Sequence, residues 1–165
     1  MPKSTLFNRR GIVIRRCRKR HLGAFCGLLT RYFREELHLP LTDEQAQELA
    51  WDIYAEVPLG VPLQLAFLEG RPVGFIDYQV DHPASSWCFH KGWGCIRELY
   101  VAPEERRRGI AAALVGCACR YARRRRAPML YLTADEAIPF WEKLGFVRTG
   151  RINKKNDLEE LEKPL

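Results

Sequence analysis

The sequence predicts a mixed α/β fold. A mainly antiparallel central sheet of about six to seven strands contains one parallel pair, with helices on both faces. Three observations lead there. Two amphipathic helical stretches follow a first short strand, two strand-like runs form a hairpin around Glu69-Gly70-Arg71, and a strand–helix–strand unit follows in the middle of the chain. The hairpin demands an antiparallel pair and the strand–helix–strand unit a parallel one, so the sheet is mixed.

Each element has a local reason. Gly11 to Arg16 alternates around Ile12 and Ile14 and reads as the first strand. Leu22, Phe25, Leu29, Phe33 and Leu37 recur at helical spacing and predict a helix ending before Pro40. Thr42-Asp-Glu-Gln45 is a capping box with an acidic first turn, and Ala46, Leu49, Ala50, Ile53 and Tyr54 supply the apolar stripe behind it. Pro62 to Leu68 and Pro72 to Val80 are the hairpin strands, and Asp81 to Lys91 is a polar and aromatic loop. Ile96 to Val101 is an apolar strand that runs through a proline break and an arginine-rich turn into a helix from Gly109. That helix finishes in Arg123 to Arg126, where cations suit its C-terminal dipole. Met129 to Thr133 reads as a buried strand. Asp135 is expected to cap a helix with Pro139 in its first turn, which ends at Lys143-Leu-Gly145. Phe146 to Ile152 and Leu158 to Lys163 are the last two strands.

Composition bounds the function. A chain of 165 residues with 47% hydrophobic and 28% charged residues can bury a core as one domain spanning 1–165, and is not a disordered segment. No apolar run reaches the roughly 18 to 20 residues of a membrane span. Met1 to Arg10 lacks a secretory apolar region and reads as a short basic lead-in, so the expected location is cytoplasmic. The six cysteines contain no C-x-x-C pair and are expected to be free thiols. His82, Cys88, His90 and Cys95 match no common zinc spacing, so no metal is assigned.

The net charge of +7 concentrates in Arg15 to Arg20, Arg106 to Arg108 and Arg123 to Arg126. The middle run matters most. A strand entering a glycine-bearing turn at a helix N-terminus is an anion site, because the first N–H groups lack intrahelical partners and the dipole is positive there. Guanidinium groups beside it suit phosphate or pyrophosphate.

These residues resemble the GNAT (Gcn5-related) N-acetyltransferase superfamily. Its R/Q-x-x-G-x-G/A hallmark is matched by Arg106-Arg-Arg-Gly109-Ile-Ala111. Leu99-Tyr-Val101-Ala-Pro103 upstream fits the family's strand, and Ala137-Ile-Pro-Phe140-Trp141-Glu-Lys-Leu-Gly145-Phe146 downstream is similar to its A-x-x-F-Y-x-x-x-G-F segment. The resemblance implies that acetyl-CoA, the acyl-donor co-substrate, lies where the parallel pair splays apart. Main-chain atoms of Leu99, Tyr100 and Val101 would hold the pantetheine arm. Arg106, Arg107, Arg108, Gly109, Ile110, Ala111 and Ala112 would form the pyrophosphate turn, with Phe140, Trp141 and Lys143 bordering the donor.

The implied reaction is direct attack of a primary amine, of a small molecule or a protein, on the thioester. Glu98 is the candidate base or amine-binding carboxylate and Tyr100 a candidate acid. The sequence departs from the family at Trp141, where members often carry a tyrosine; an indole N–H cannot protonate a thiolate. Tyr100, Tyr131 or water would have to serve instead. Trp51, Tyr54, Trp87 and Trp93 fall in or near segments expected to border the acceptor. An acyl-CoA-binding protein without turnover is the alternative. A basic nucleic-acid-binding protein ranks lower, since two of the three arginine runs have local explanations. A monomer and a homodimer are both compatible with the sequence.

Overall fold

A computed structural model of the protein describes residues 11–165 and the backbone of Leu6 and Phe7. The rest of the expected basic lead-in lies outside the described residues, while Leu6–Phe7 is a two-residue strand, β1, paired antiparallel with the next one. In order follow β2 (Ile12–Arg16), α1 (Leu22–Glu35), α2 (Asp43–Ala55), β3 (Leu63–Leu68), β4 (Arg71–Val80), β5 (Gly94–Val101), α3 (Ile110–Arg124), β6 (Met129–Ala134), α4 (Ile138–Lys143), β7 (Val147–Ile152) and β8 (Glu159–Pro164). Among the described residues the strands form one sheet in the order β1-β2-β3-β4-β5-β6-β8-β7. The β5–β6 pair is parallel, and its register covers only Gly94 with Leu130 and Cys95 with Tyr131.

The chain forms two compact units. The first holds residues up to Asp77 together with Glu98–Leu114; the second holds Tyr78–Arg97 and Val115–Leu165. Strands β4 and β5 and helix α3 each contribute to both.

In the first unit, α1 buries Phe25, Leu28 and Leu29, the i, i+3, i+4 face that an amphipathic helix turns inward. These side chains join Ala50 of α2, Leu63 and Leu65 of β3, Phe75 of β4 and Tyr100 of β5 in one core. The Phe25 and Phe75 rings meet edge to face at 5.1 Å. Helix α2 starts as the sequence predicts: the Thr42 hydroxyl accepts from the Gln45 N–H (3.2 Å) and the Gln45 side chain accepts from the Thr42 N–H (2.9 Å). Leu37, placed by the periodicity on the buried stripe, lies beyond the end of α1 and is 39% exposed.

The second unit buries Leu130, Tyr131 and Leu132 of β6, Leu161 of β8, Trp141 and Phe146. One expectation is corrected. Asp135 does not cap α4; the N-cap is Ala137 in a left-handed conformation with no side-chain cap, and Pro139 sits in the first turn. The helix ends where expected. Gly145 lies at φ +89°, its N–H bonds the Glu142 carbonyl (2.9 Å), and the Phe146 N–H bonds that of Trp141 (3.1 Å).

Candidate active site

The expected donor turn belongs to the first unit, and α1 braces it. Alternation along β5 puts Glu98 and Tyr100 on one face of the strand and Leu99 and Val101 on the other. Glu98 and Tyr100 face α1, where they make two reciprocal bonds. The Tyr32 hydroxyl of α1 donates to Glu98 Oε2, and the Tyr100 hydroxyl donates to Glu35 Oε2 of α1 at 2.8 Å. Burial, then the Glu98 charge, pushes the Tyr32 hydroxyl well above the usual tyrosine range. Burial and the bond to Glu35 do the same to Tyr100. Burial alone would raise the Glu35 carboxyl, but the Tyr100 hydroxyl and the Arg31 guanidinium outweigh it and hold the group below its ordinary value.

Past Val101 the chain folds into a turn tied down at every charged residue but one. Glu104 takes a bidentate bond from Arg31 of α1 (2.8 and 2.8 Å), which lowers its carboxyl from 4.5 to about 2. Glu105 is buried and pairs with Arg71 of β4 and Arg108, each at 3.3 Å. Arg106 bends back: its Nε donates to the Val101 carbonyl (2.9 Å) and its Nη2 pairs with Glu36. Of the three consecutive arginines, Arg107 has no hydrogen bond or ion pair among the described residues, and it is exposed at φ +64°. The sequence treats the three as equivalent phosphate ligands, whereas two of them hold the turn together.

Helix α3 then begins. Gly109 sits at φ +81°, a region that side chains disfavour, and a Cβ placed on it would meet no atom within 4 Å. The Ala113 N–H closes the first helical bond onto the Gly109 carbonyl (3.1 Å). The N–H groups of Ile110, Ala111 and Ala112 precede it and have no carbonyl four residues back within the helix. Open space at Gly109, three unclosed N–H groups and an uncommitted guanidinium suit a pyrophosphate. The acyl donor expected from the sequence fits the residues present.

The remaining expected residues lie in the second unit. Trp141 is 7% exposed and packs edge-on against Phe140 (4.9 Å) and Phe146 (5.4 Å); Phe140 is half-buried and Lys143 exposed. The Tyr131 hydroxyl donates to Asp81, which also accepts from the N–H groups of Phe89 (2.9 Å) and His90 (3.0 Å) and from Gln79 Nε2 (2.8 Å). One buried carboxylate thus folds the aromatic loop after β4. The Trp87 indole donates to Tyr131 (3.0 Å), and Trp93 stacks on His90 at 4.4 Å. Trp51 and Tyr54 line a cavity of 410 Å3 in the first unit, which shares no residue with the turn.

The family's sequence profile, described as the acetyltransferase (GNAT) family, matches residues 22–146. The chain belongs to the GNAT acetyltransferase family. Its acyl donor, as the resemblance implies, is acetyl-CoA. No curated protein matches the chain in sequence. Solved structures share its fold. A ribosomal-protein-alanine N-acetyltransferase from Brucella melitensis is 22% identical, with a TM-score of 0.71 over 92% of this chain and 99% of that one. A GNAT-family acetyltransferase from Staphylococcus aureus is 14% identical, with a TM-score of 0.72 over 93% and 99%. The PaiA N-acetyltransferase of Thermoplasma acidophilum, solved with coenzyme A, is 15% identical, with a TM-score of 0.67 over 93% and 99%. Among the described residues no helix is long and apolar enough to cross a membrane.

Proposed function

We propose that this GNAT protein is an acetyl-CoA-dependent N-acetyltransferase that passes the acetyl group directly to a primary amine. The observation that carries the reading is the turn before α3, with Gly109 left-handed and facing open space, three N–H groups unclosed, and Arg107 uncommitted. There the N–H groups of Ile110 to Ala112 and the Arg107 side chain hold the pyrophosphate. Arg106 and Arg108 keep the turn in shape through Glu36 and Glu105. Main-chain atoms of Leu99, Tyr100 and Val101 hold the pantetheine arm, and Phe140, Trp141 and Lys143 border the donor, as the family resemblance implies.

Acetyl-CoA supplies the thioester carbonyl. Glu98 accepts the proton that the acceptor ammonium must lose before its nitrogen lone pair can attack. As the new C–N bond forms, the C–S bond breaks; the nitrogen gives up its second proton to water and water protonates the departing thiolate. The Tyr100 hydroxyl is committed as a hydrogen-bond donor to Glu35, the Tyr131 hydroxyl to Asp81, and Trp141 has no acidic proton to give.

Calorimetry with acetyl-CoA tests the donor site. Wild type is expected to bind saturably. Gly109→Leu is expected to weaken binding by tenfold or more, because its side chain enters the open space and its backbone resists φ +81°. Equal affinity of the two proteins refutes the assignment. Thiol release from acetyl-CoA with aminoglycosides, polyamines, amino acids and N-terminal peptides then tests turnover. Binding without turnover on any amine would leave an acyl-CoA-binding protein.

A further inference from the structure

We propose that Tyr32 is a positioning residue for Glu98, holding its carboxylate ionised and fixed in direction for proton transfer. The inference rests on the reading of Glu98 as the base and adds a residue for which the sequence carries no motif. Tyr32 lies on α1, 66 residues before Glu98, and its hydroxyl donates to Glu98 Oε2. Its ring cannot swing away. It packs against Phe33 at 5.7 Å, Phe75 of β4 at 5.8 Å and Tyr100 of β5 at 5.6 Å. A donor packed among three rings engages one carboxylate oxygen, and that gives the other oxygen a set orientation. A donor aimed at a carboxylate stabilises its charged form. The hydroxyl keeps its own proton across the working pH range, since burial and the Glu98 charge oppose its ionisation.

Other groups around the pair carry both signs: Glu36, just past the end of α1, pairs with Arg106, and Glu35 pairs with Arg31. Asp77 of β4 and Glu36 act electrostatically on the Tyr32 hydroxyl, while Arg31 and Arg106 act on the Tyr100 hydroxyl beside it, which is turned to Glu35. Neighbouring carboxylates favour the protonated form of Glu98 and neighbouring guanidiniums the ionised one, whereas the Tyr32 hydroxyl acts on Glu98 by direct contact. That donor favours the ionised form, which can accept a proton from the amine. Tyr32→Phe removes that donor, keeps the ring and leaves those neighbours in place.

The experiment has two readouts. Carbon-detected NMR titration of glutamate-labelled free protein, with the Glu98 resonance assigned by its loss in Glu98→Gln, measures the Glu98 midpoint in wild type and Tyr32→Phe. The midpoint is expected to rise by about one pH unit, the size of a charge-assisted bond. An unchanged midpoint overturns the proposal, and this readout needs neither acetyl-CoA nor an acceptor.

Kinetics follow with whichever amine turns over in the thiol-release screen. Tyr32→Phe is expected to lower kcat at least tenfold, leave the KM for acetyl-CoA within twofold, and move the acidic limb of the pH profile upward. The Tyr32→Phe/Glu98→Gln double variant should lose no more than Glu98→Gln alone, because Tyr32 acts through Glu98. Additive losses overturn the proposal. Full activity in Glu98→Gln refutes the reading of Glu98 as the base, and the titration still decides whether Tyr32 holds the carboxylate.

Discussion

At Gly74 of β4 the neighbouring strand β5 is sensitive to a single carbon. A Cβ built there stands 2.6 Å from the Tyr100 carbonyl oxygen and 3.2 Å from Val101 Cγ2, about 0.8 Å inside the 3.4 Å at which ordinary contact with the oxygen begins. The obstacle is backbone, so no rotamer change relieves it. In Gly74→Ala β5 must move away from β4, stretching the bond from the Ala102 N–H to the Val73 carbonyl, now 2.8 Å. Overpacking of this kind costs about 1–3 kcal/mol. In a chain of this length 2 kcal/mol lowers Tm by roughly 4–8 °C. Gly23, exposed on α1 with nothing within 4 Å, is the control. There the same change should stabilise by about 0.5–1 kcal/mol, because alanine is the better helix former. Calorimetric melts of both variants, with acetyl-CoA titrations, decide the matter. Gly74→Ala is expected to melt lower and bind acetyl-CoA more weakly. A Gly74→Ala melt within 1 °C of wild type would refute the close-approach argument.

Two further predictions concern charge. The Glu104 carboxyl falls from 4.5 to about 2 through its bond to Arg31. A lowered folded-state value stabilises above the unfolded one, and that contribution disappears as pH falls from about 4.5 toward 2. Melts of wild type and Glu104→Gln should therefore differ most at pH 5 to 6 and converge near pH 2; a constant difference across that window contradicts the pairing. In the second unit, Asp81→Asn turns an amide toward donors that now share one carboxylate. It should cost about 2–3 kcal/mol, the size of leaving buried donors unsatisfied, and near-UV circular dichroism should report loosening around Trp87 and Trp93. An unchanged spectrum and Tm would mean that Asp81 does not organise the loop.

The elements were legible in the sequence because their signals are local. The capping box at Thr42, the hairpin turn at Glu69-Gly70 and the C-terminal Gly145 of α4 each depend on residues a few positions apart. Asp135 misled for the same reason. It has a capping side chain, but the helix starts later, at Ile138 after the N-cap Ala137, with Pro139 in its first turn. The turn before α3 was legible as a turn, since glycine and a helix start are sequence features. The division of labour within it was not. Arg106, Arg107 and Arg108 look alike until Glu36 and Glu105 are in position, and Glu36 is 70 residues from Arg106. Tyr32 was invisible as well, because its partner is fixed only by how α1 lies along β5.

The bracing of that turn also alters what the protein shows to ions in solution. The arginine run displays three positive charges in sequence, yet Arg106 pairs with Glu36 and Arg108 with Glu105, a carboxylate it shares with Arg71. Partly buried pairs are screened less than exposed charges. Added salt thus competes first for the guanidinium of the run that makes no ion pair among the described residues, that of Arg107, beside the helix end. Acetyl-CoA binding should weaken with ionic strength only about as steeply as a single ion contact allows, despite a chain carrying a net charge of +7.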